Sequence, residues 1–169
     1  MTPAIFVTTK KRFAQDPSHG RWFDLLDYTD EDDFLENIKT FYGELDEDDS
    51  YFFPDWIDIP KEALKKEGHL NWEYIDVLSE LSGDSQDAYY EYCTNLLYIV
   101  DKEKFEDAYI TTLAPLESES DFIIQYDSDF LDDEAIPEIC RLYFDWEVYT
   151  RDRFIDTYIC YGQHVFYQI

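Results

Sequence analysis

The residues able to do chemistry in this chain are mostly carboxylates, and they come in clusters rather than in recognisable catalytic pairs. Residues 27–49, DYTDEDDFLENIKTFYGELDEDD, open and close on dense runs of Asp and Glu and hold a single base, Lys39. General acid–base work needs carboxyls set in unlike surroundings, and among so many acids any pair chosen would be arbitrary. His19, His69 and His164 are scattered, with neither HExxH spacing nor a meaningful Ser-His-Asp order. Gly20 is not part of a GxxxxGK[ST] phosphate loop. Asp127, Asp129 and Glu138 match positions one, three and twelve of an EF-hand loop, but Leu131 stands at position five and Asp132 replaces the turn glycine. Cys93, Cys140 and Cys160 are odd in number and lack metal-ligand spacing; they read as packing among aromatics. His164, in an apolar hairpin, reads as a satisfied structural residue. The expectation is a protein with no catalytic residue, no metal and no cofactor.

Recognition is the chemistry left to the acids. Phe34, Leu35, Ile38, Phe41 and Tyr42 recur at helical spacing through the middle of the acidic stretch, so one face packs while Asp30, Glu31, Asp33 and Glu36 face water. Acids three and four places apart on a helix lie roughly 5–6 Å from one another. Nucleic acid also carries a regular row of anions, about one per 1.7 Å of duplex axis. The net charge of −27 over 169 residues is extreme, yet 45% of residues are hydrophobic and 19% aromatic, which argues for an ordered chain. DNA and anionic membranes are therefore poor direct partners, and basic protein surfaces good ones. Composition alone leaves open a merely solvated or salt-adapted surface. No window has the apolar length of a membrane span, and the start, MTPAIFVTTKKRF, lacks a signal sequence; a cytoplasmic protein is expected.

The elements that must position these acids form an α+β pattern of three small units. Over 1–59, Ala4–Thr8 and Gly20–Leu26 read as strands joined by a polar loop holding Lys10, Lys11 and Arg12. Thr29 is the expected N-cap of a helix that runs to Tyr42 and stops at Gly43, and Tyr51–Ile57 is extended, with Pro54 marking an edge or a bulge. Over 60–109 the pattern is helical: KEALKKEG, NWEYIDVLSELSG, SQDAYYEYCTNLLYIV and KEKFEDAY, with Asn71 and Ser85 as caps and Gly68 and Gly83 as stops. Over 110–169, Ser118 caps a helix through Asp127, Pro137 opens a short helix, DWEVYTRDRF continues helical, and Tyr158–Tyr161 with His164–Gln168 forms a terminal hairpin. Tyr89, Tyr90, Tyr92, Tyr98, Trp22, Trp56, Trp72 and Trp146 read as core and interface, Trp146 as a buried anchor. Arg141, Arg151 and Arg153 read as ion-pair partners of local acids.

The last segment, IPEICRLYFDWEVYTRDRFIDTYICYGQHVFYQI, resembles the carboxyl-terminal signature of the ArdA family of antirestriction proteins. The matching residues are Pro137-Glu138, Phe144-Asp145-Trp146-Glu147, Arg151-Asp152 and His164-Val165-Phe166. Gly20-Arg21-Trp22-Phe23-Asp24 resembles the family's second strand, and Phe105–Tyr109 with the acidic run 117–122 its central element. At Phe53-Pro54-Asp55-Trp56 the family's His-Asp-aromatic-Glu element is retained only through Asp55.

The resemblance implies an elongated homodimer of three small units whose surface acids imitate the phosphates of bent B-form DNA. Such a protein occupies the DNA-binding groove of type I restriction-modification enzymes and protects incoming mobile DNA, without cofactor or catalysis. The phosphate-like positions are then Asp30, Glu31, Asp33, Glu36, Asp46, Asp48, Asp49, Glu119, Asp121, Asp129, Asp132, Asp133, Glu138, Asp145, Glu147 and Asp152. Phe105, Ala108 and Tyr109 are the implied dimer residues. The rival is an acidic, monomeric immunity-type protein that caps one basic nuclease toxin.

Overall fold

The computed structural model describes residues 1–65, 69–96, 101–129 and 137–168. They form a mixed α+β chain, as the sequence pattern leads one to expect, and it contains two three-stranded antiparallel sheets. Two compact units divide it, Met1–Lys102 and Glu103–Ile169.

In the first unit, strand β1 (Ala4–Thr9) lies at the centre of its sheet with Ile5 and Val7 fully buried. Helix α1 (Lys10–Gln15) follows directly, where a polar loop was expected. Its start is set by Thr9, whose side chain accepts the Arg12 amide at 3.3 Å, a local capping bond that hydrophobic periodicity does not reveal. Strand β2 (Arg21–Asp24) pairs antiparallel with β1. Helix α2 (Glu31–Tyr42) buries Phe34, Ile38 and Tyr42, four residues apart each time, and presents its acids on the other side. Asp30, not Thr29, is its N-cap, and Gly43 ends it at φ +79°, a conformation that penalises any side chain with a Cβ.

Strand β3 (Tyr51–Ile57) completes the sheet in the order β2-β1-β3, so Pro54 sits on an edge strand, and the β1–β3 register shifts between Phe6 and Thr8. After Pro60 the expected helix over KEALKKEG is replaced among the described residues by a 3-10 turn, Lys61–Ala63, and a short β4 (Leu64–Lys65) paired with β5 (His69–Leu70). Helices α3 (Trp72–Glu80) and α4 (Asp84–Asn95) then pack Tyr74 on Tyr89 with ring centroids 5.4 Å apart. Gly83 stands at the N-cap of α4 rather than as the stop of α3, which ends at Glu80 with Leu81 as its C-cap, and Ser85 lies inside α4. Gly68 and Tyr98 lie outside the described residues.

The second unit takes in most of α5 (Lys102–Ala108), followed by β6 (Tyr109–Thr112), α6 (Glu119–Tyr126), α7 (Glu138–Leu142) and α8 (Trp146–Asp156), and closes with the hairpin β7 (Tyr158–Tyr161) and β8 (His164–Tyr167). The sheet order is β6-β8-β7, which puts the terminal strand in the middle. Phe122, Ile123, Leu113, Tyr158 and Val165 form the core. Trp146 is only half-buried against this cluster; the fully buried anchor is Phe122, 1% exposed. His164 is buried, with Nδ1 2.8 Å from the Thr112 hydroxyl, which fits a structural role. Cys93 is buried, but Cys140 is exposed on α7 and Cys160 half-buried, so only the first is fully the packing cysteine expected.

Candidate functional site: the carboxylate surface

Among the described candidate acids, Asp33 and Asp49 are half-buried and all the others are exposed. Asp132 and Asp133 lie outside the described residues. Exposure alone gives a charge no address. What distinguishes this surface is that many of the carboxylates are tied to backbone amides or to a basic side chain.

At the start of α2 four acids stand in sequence from Asp30 to Asp33, where free amides and the helix dipole favour negative charge. Asp30 accepts the Asp33 amide at 2.8 Å; Asp33 in turn accepts the Thr29 amide at 3.1 Å and the Asn37 side-chain amide at 3.1 Å. Glu31 and Glu36 project from the same helix, whose opposite face is locked into the core by Phe34 and Ile38.

A second knot forms around Lys11 of α1. Its ammonium donates to Asp46 at 2.9 Å and also to Asp48, while its backbone amide donates to Asp49 at 3.1 Å. The Lys11 hydrogen bond holds the Asp48 carboxyl below its ordinary range, and the two carboxylates push the Lys11 ammonium upward. At Asp49 burial works against ionisation, but hydrogen bonds from Thr9 and from the amides of Lys11 and Ser50 outweigh it and the carboxyl is lowered. One ammonium against three carboxylates leaves the knot negative. Sequence reading missed this clamp, because its partners lie 35 and 37 residues apart with no local signal.

In the second unit Ser118 and Asp121 form a capping box on α6. The Asp121 carboxylate accepts the Ser118 amide at 2.8 Å and the Ser118 hydroxyl at 2.6 Å, and the Asp121 amide returns a bond of 3.2 Å to that hydroxyl. These bonds, the hydroxyl's first, hold Asp121 below its ordinary range. Asp145 caps α8 by accepting the Val148 amide at 3.0 Å, with Glu147 in the first turn behind it. Glu119 and Glu147 come together as lining of one shallow groove of about 650 Å³, which Arg151 also lines. Arg151 is paired with its neighbour Asp152 at 2.7 Å. Glu138 and Asp129 are exposed at the start of α7 and just beyond α6.

Asp127 has a different fate. Its carboxylate accepts from Tyr149 at 3.1 Å and from Arg153 and is largely withdrawn from solvent, so it braces α6 to α8. Among the described residues no cluster of His, Cys, Asp or Glu has the arrangement of a metal site, and no helix is long and apolar enough to cross a membrane. Of the implied dimer residues, Phe105 and Ala108 are buried; Tyr109 is half-buried, stacked on Phe105 at 5.4 Å.

Within each unit the arrangement can hold anchored negative charge toward a basic surface. In comparison with known proteins, a family model described as antirestriction protein (ArdA) matches residues 5–167. No curated protein matches the chain.

Proposed function

Since the chain belongs to the ArdA family of antirestriction proteins, we propose that it performs its antirestriction function as a mimic of DNA. In this reading the exposed carboxylates stand in for phosphates in the DNA-binding groove of a type I restriction-modification enzyme. Phosphate contacts supply much of a DNA-binding protein's affinity without reading sequence. A mimic of phosphates alone therefore inhibits enzymes of differing sequence specificity, which suits a protein that shields incoming mobile DNA. The chain catalyses nothing in this account and needs no cofactor.

The supporting observation is that acids on separate elements are exposed or half-buried and yet anchored, through Asp30 and Asp33 on α2, Asp46, Asp48 and Asp49 at Lys11, Asp121 on α6 and Asp145 on α8. A salt-adapted surface needs the charge but not the anchoring. We further propose a homodimer that associates through the region of Phe105, Ala108 and Tyr109, with the first two acting from beneath the surface. The test is competition. The protein, titrated against duplex DNA for a purified type I methyltransferase, is expected to displace the DNA, and to do so less well as salt is raised. Failure to displace it, with tight one-to-one binding to a single basic nuclease toxin instead, would establish the immunity-type alternative.

A further inference from the structure

Strand β3 carries Tyr51, Phe52, Phe53 and Trp56, yet none of its seven residues is fully buried. These four aromatics line a cleft of about 1000 Å³ in the first unit, together with Phe34 and Leu35 of α2 and with Leu70 and Trp72. Its aromatic walls are held from behind. Phe34 packs on Trp72 at 5.4 Å and on Phe53 at 6.3 Å, and Phe52 meets Phe13 edge-on at 5.0 Å. Lys10 and Lys61 also line it, both exposed and neither in an ion pair among the described residues, against one acid, Glu31. In a chain of net charge −27, the charged groups of this lining among the described residues are thus two cations to one anion.

We propose that this cleft is a binding site for a small aromatic anion, a flat ring system carrying one carboxylate or sulfonate-type group. The size falls in the range of small-molecule sites, which are mostly apolar with a few polar groups that fix orientation. Offset and edge-on packing against half-buried Phe52, Phe53 and Trp56 suits a planar guest, and the ammonium groups give its anionic end a charge-assisted partner. The acids elsewhere on the surface act on such a guest through screened water, with a Debye length of about 8 Å at physiological salt, whereas the lysines act at contact. The site shares Glu31 with the proposed carboxylate surface but rests on the cleft and on Lys10 and Lys61, which the mimicry does not use.

The experiment compares two probes that differ in one group: 8-anilinonaphthalene-1-sulfonate and its uncharged analogue N-phenyl-1-naphthylamine, titrated by fluorescence at physiological salt. The wild-type chain is expected to bind one sulfonate per chain, with energy transfer from tryptophan, about tenfold more tightly than the neutral probe. Lys10→Gln with Lys61→Gln should erase that preference and leave neutral binding unchanged, while Lys39→Gln, outside the cleft, changes neither. Trp56→Ala should weaken both probes. The proposal is overturned by equal affinity for the two probes, by a preference that survives the double Gln variant, by many weak sites, or by no binding. Loss of both probes in the double Gln variant also overturns it, since exposed amide replacements leave the apolar lining in place.

Discussion

The carboxylate of Asp30 accepts the backbone amide of Asp33 at 2.8 Å, so the helix that carries the densest acids is started by one of them. Replacing Asp30 by Ala is therefore expected to lower stability by about 1 kcal/mol, and by Asn far less, because Asn caps as well as Asp does. Urea unfolding of the two variants checks this. Equal losses would mean that charge, not capping, is the contribution of Asp30.

Phe122 is the ring around which the second unit packs, meeting Tyr158 edge-on at 5.2 Å and Phe154 at 6.1 Å. Phe122→Ala is expected to cost about 3–5 kcal/mol, read as a fall in the urea midpoint. The same truncation of half-buried Trp146 should cost less, and a reversed order would contradict the packing described.

The capping box predicts a pH effect with a definite sign. Asp121 is held below its ordinary range first by the Ser118 hydroxyl and then by the Ser118 amide. A carboxyl with a depressed folded-state pKa contributes stability above its unfolded value, and that contribution is lost as pH falls through the folded one. Carboxyl-carbon NMR titration of Ser118→Ala should thus show the Asp121 pKa rising toward the ordinary aspartate value, with a smaller acid-side loss of stability than in the wild type. An unchanged Asp121 titration would refute the assignment.

Lys11 is predicted to order the loop that carries Asp46, Asp48 and Asp49. In Lys11→Gln the Asp48 carboxyl should return upward to its ordinary range, and the Lys11 and Ser50 backbone amides that Asp49 accepts should exchange faster with solvent. Unaltered exchange would show that the loop is held by its backbone alone.

These devices were unevenly legible. Helix α2 could be read from the spacing of Phe34, Ile38 and Tyr42, and α6 from Ser118, because side chain and consequence are neighbours in sequence. The mixed α+β class and the terminal hairpin were legible for the same reason. The segment after Pro60 was not: Ala, Leu, Lys and Glu favour helix intrinsically, but Leu64 pairs with Leu70 across a small hairpin, and tertiary pairing overrides propensity. Strand β6 was hidden too, since Tyr109 and Thr112 become a strand only by pairing with Phe166 and His164 more than fifty residues away. At the site, acid types and helical positions were readable, whereas the Lys11 clamp and the withdrawal of Asp127 by Arg153 required the fold.

The most direct test of the mimicry is the salt dependence of the complex with a type I methyltransferase, measured for the wild type and for a graded series of acid-to-amide variants. Asp30→Asn, Glu31→Gln, Glu36→Gln, Asp145→Asn and Glu147→Gln are combined stepwise, with the caps preserved by Asn. The account predicts a steep fall of log affinity with log salt, a slope that shallows as acids are removed, and only a few-fold loss for any single change. A flat salt dependence, or the abolition of binding by one amide substitution in a protein that remains folded, would contradict it.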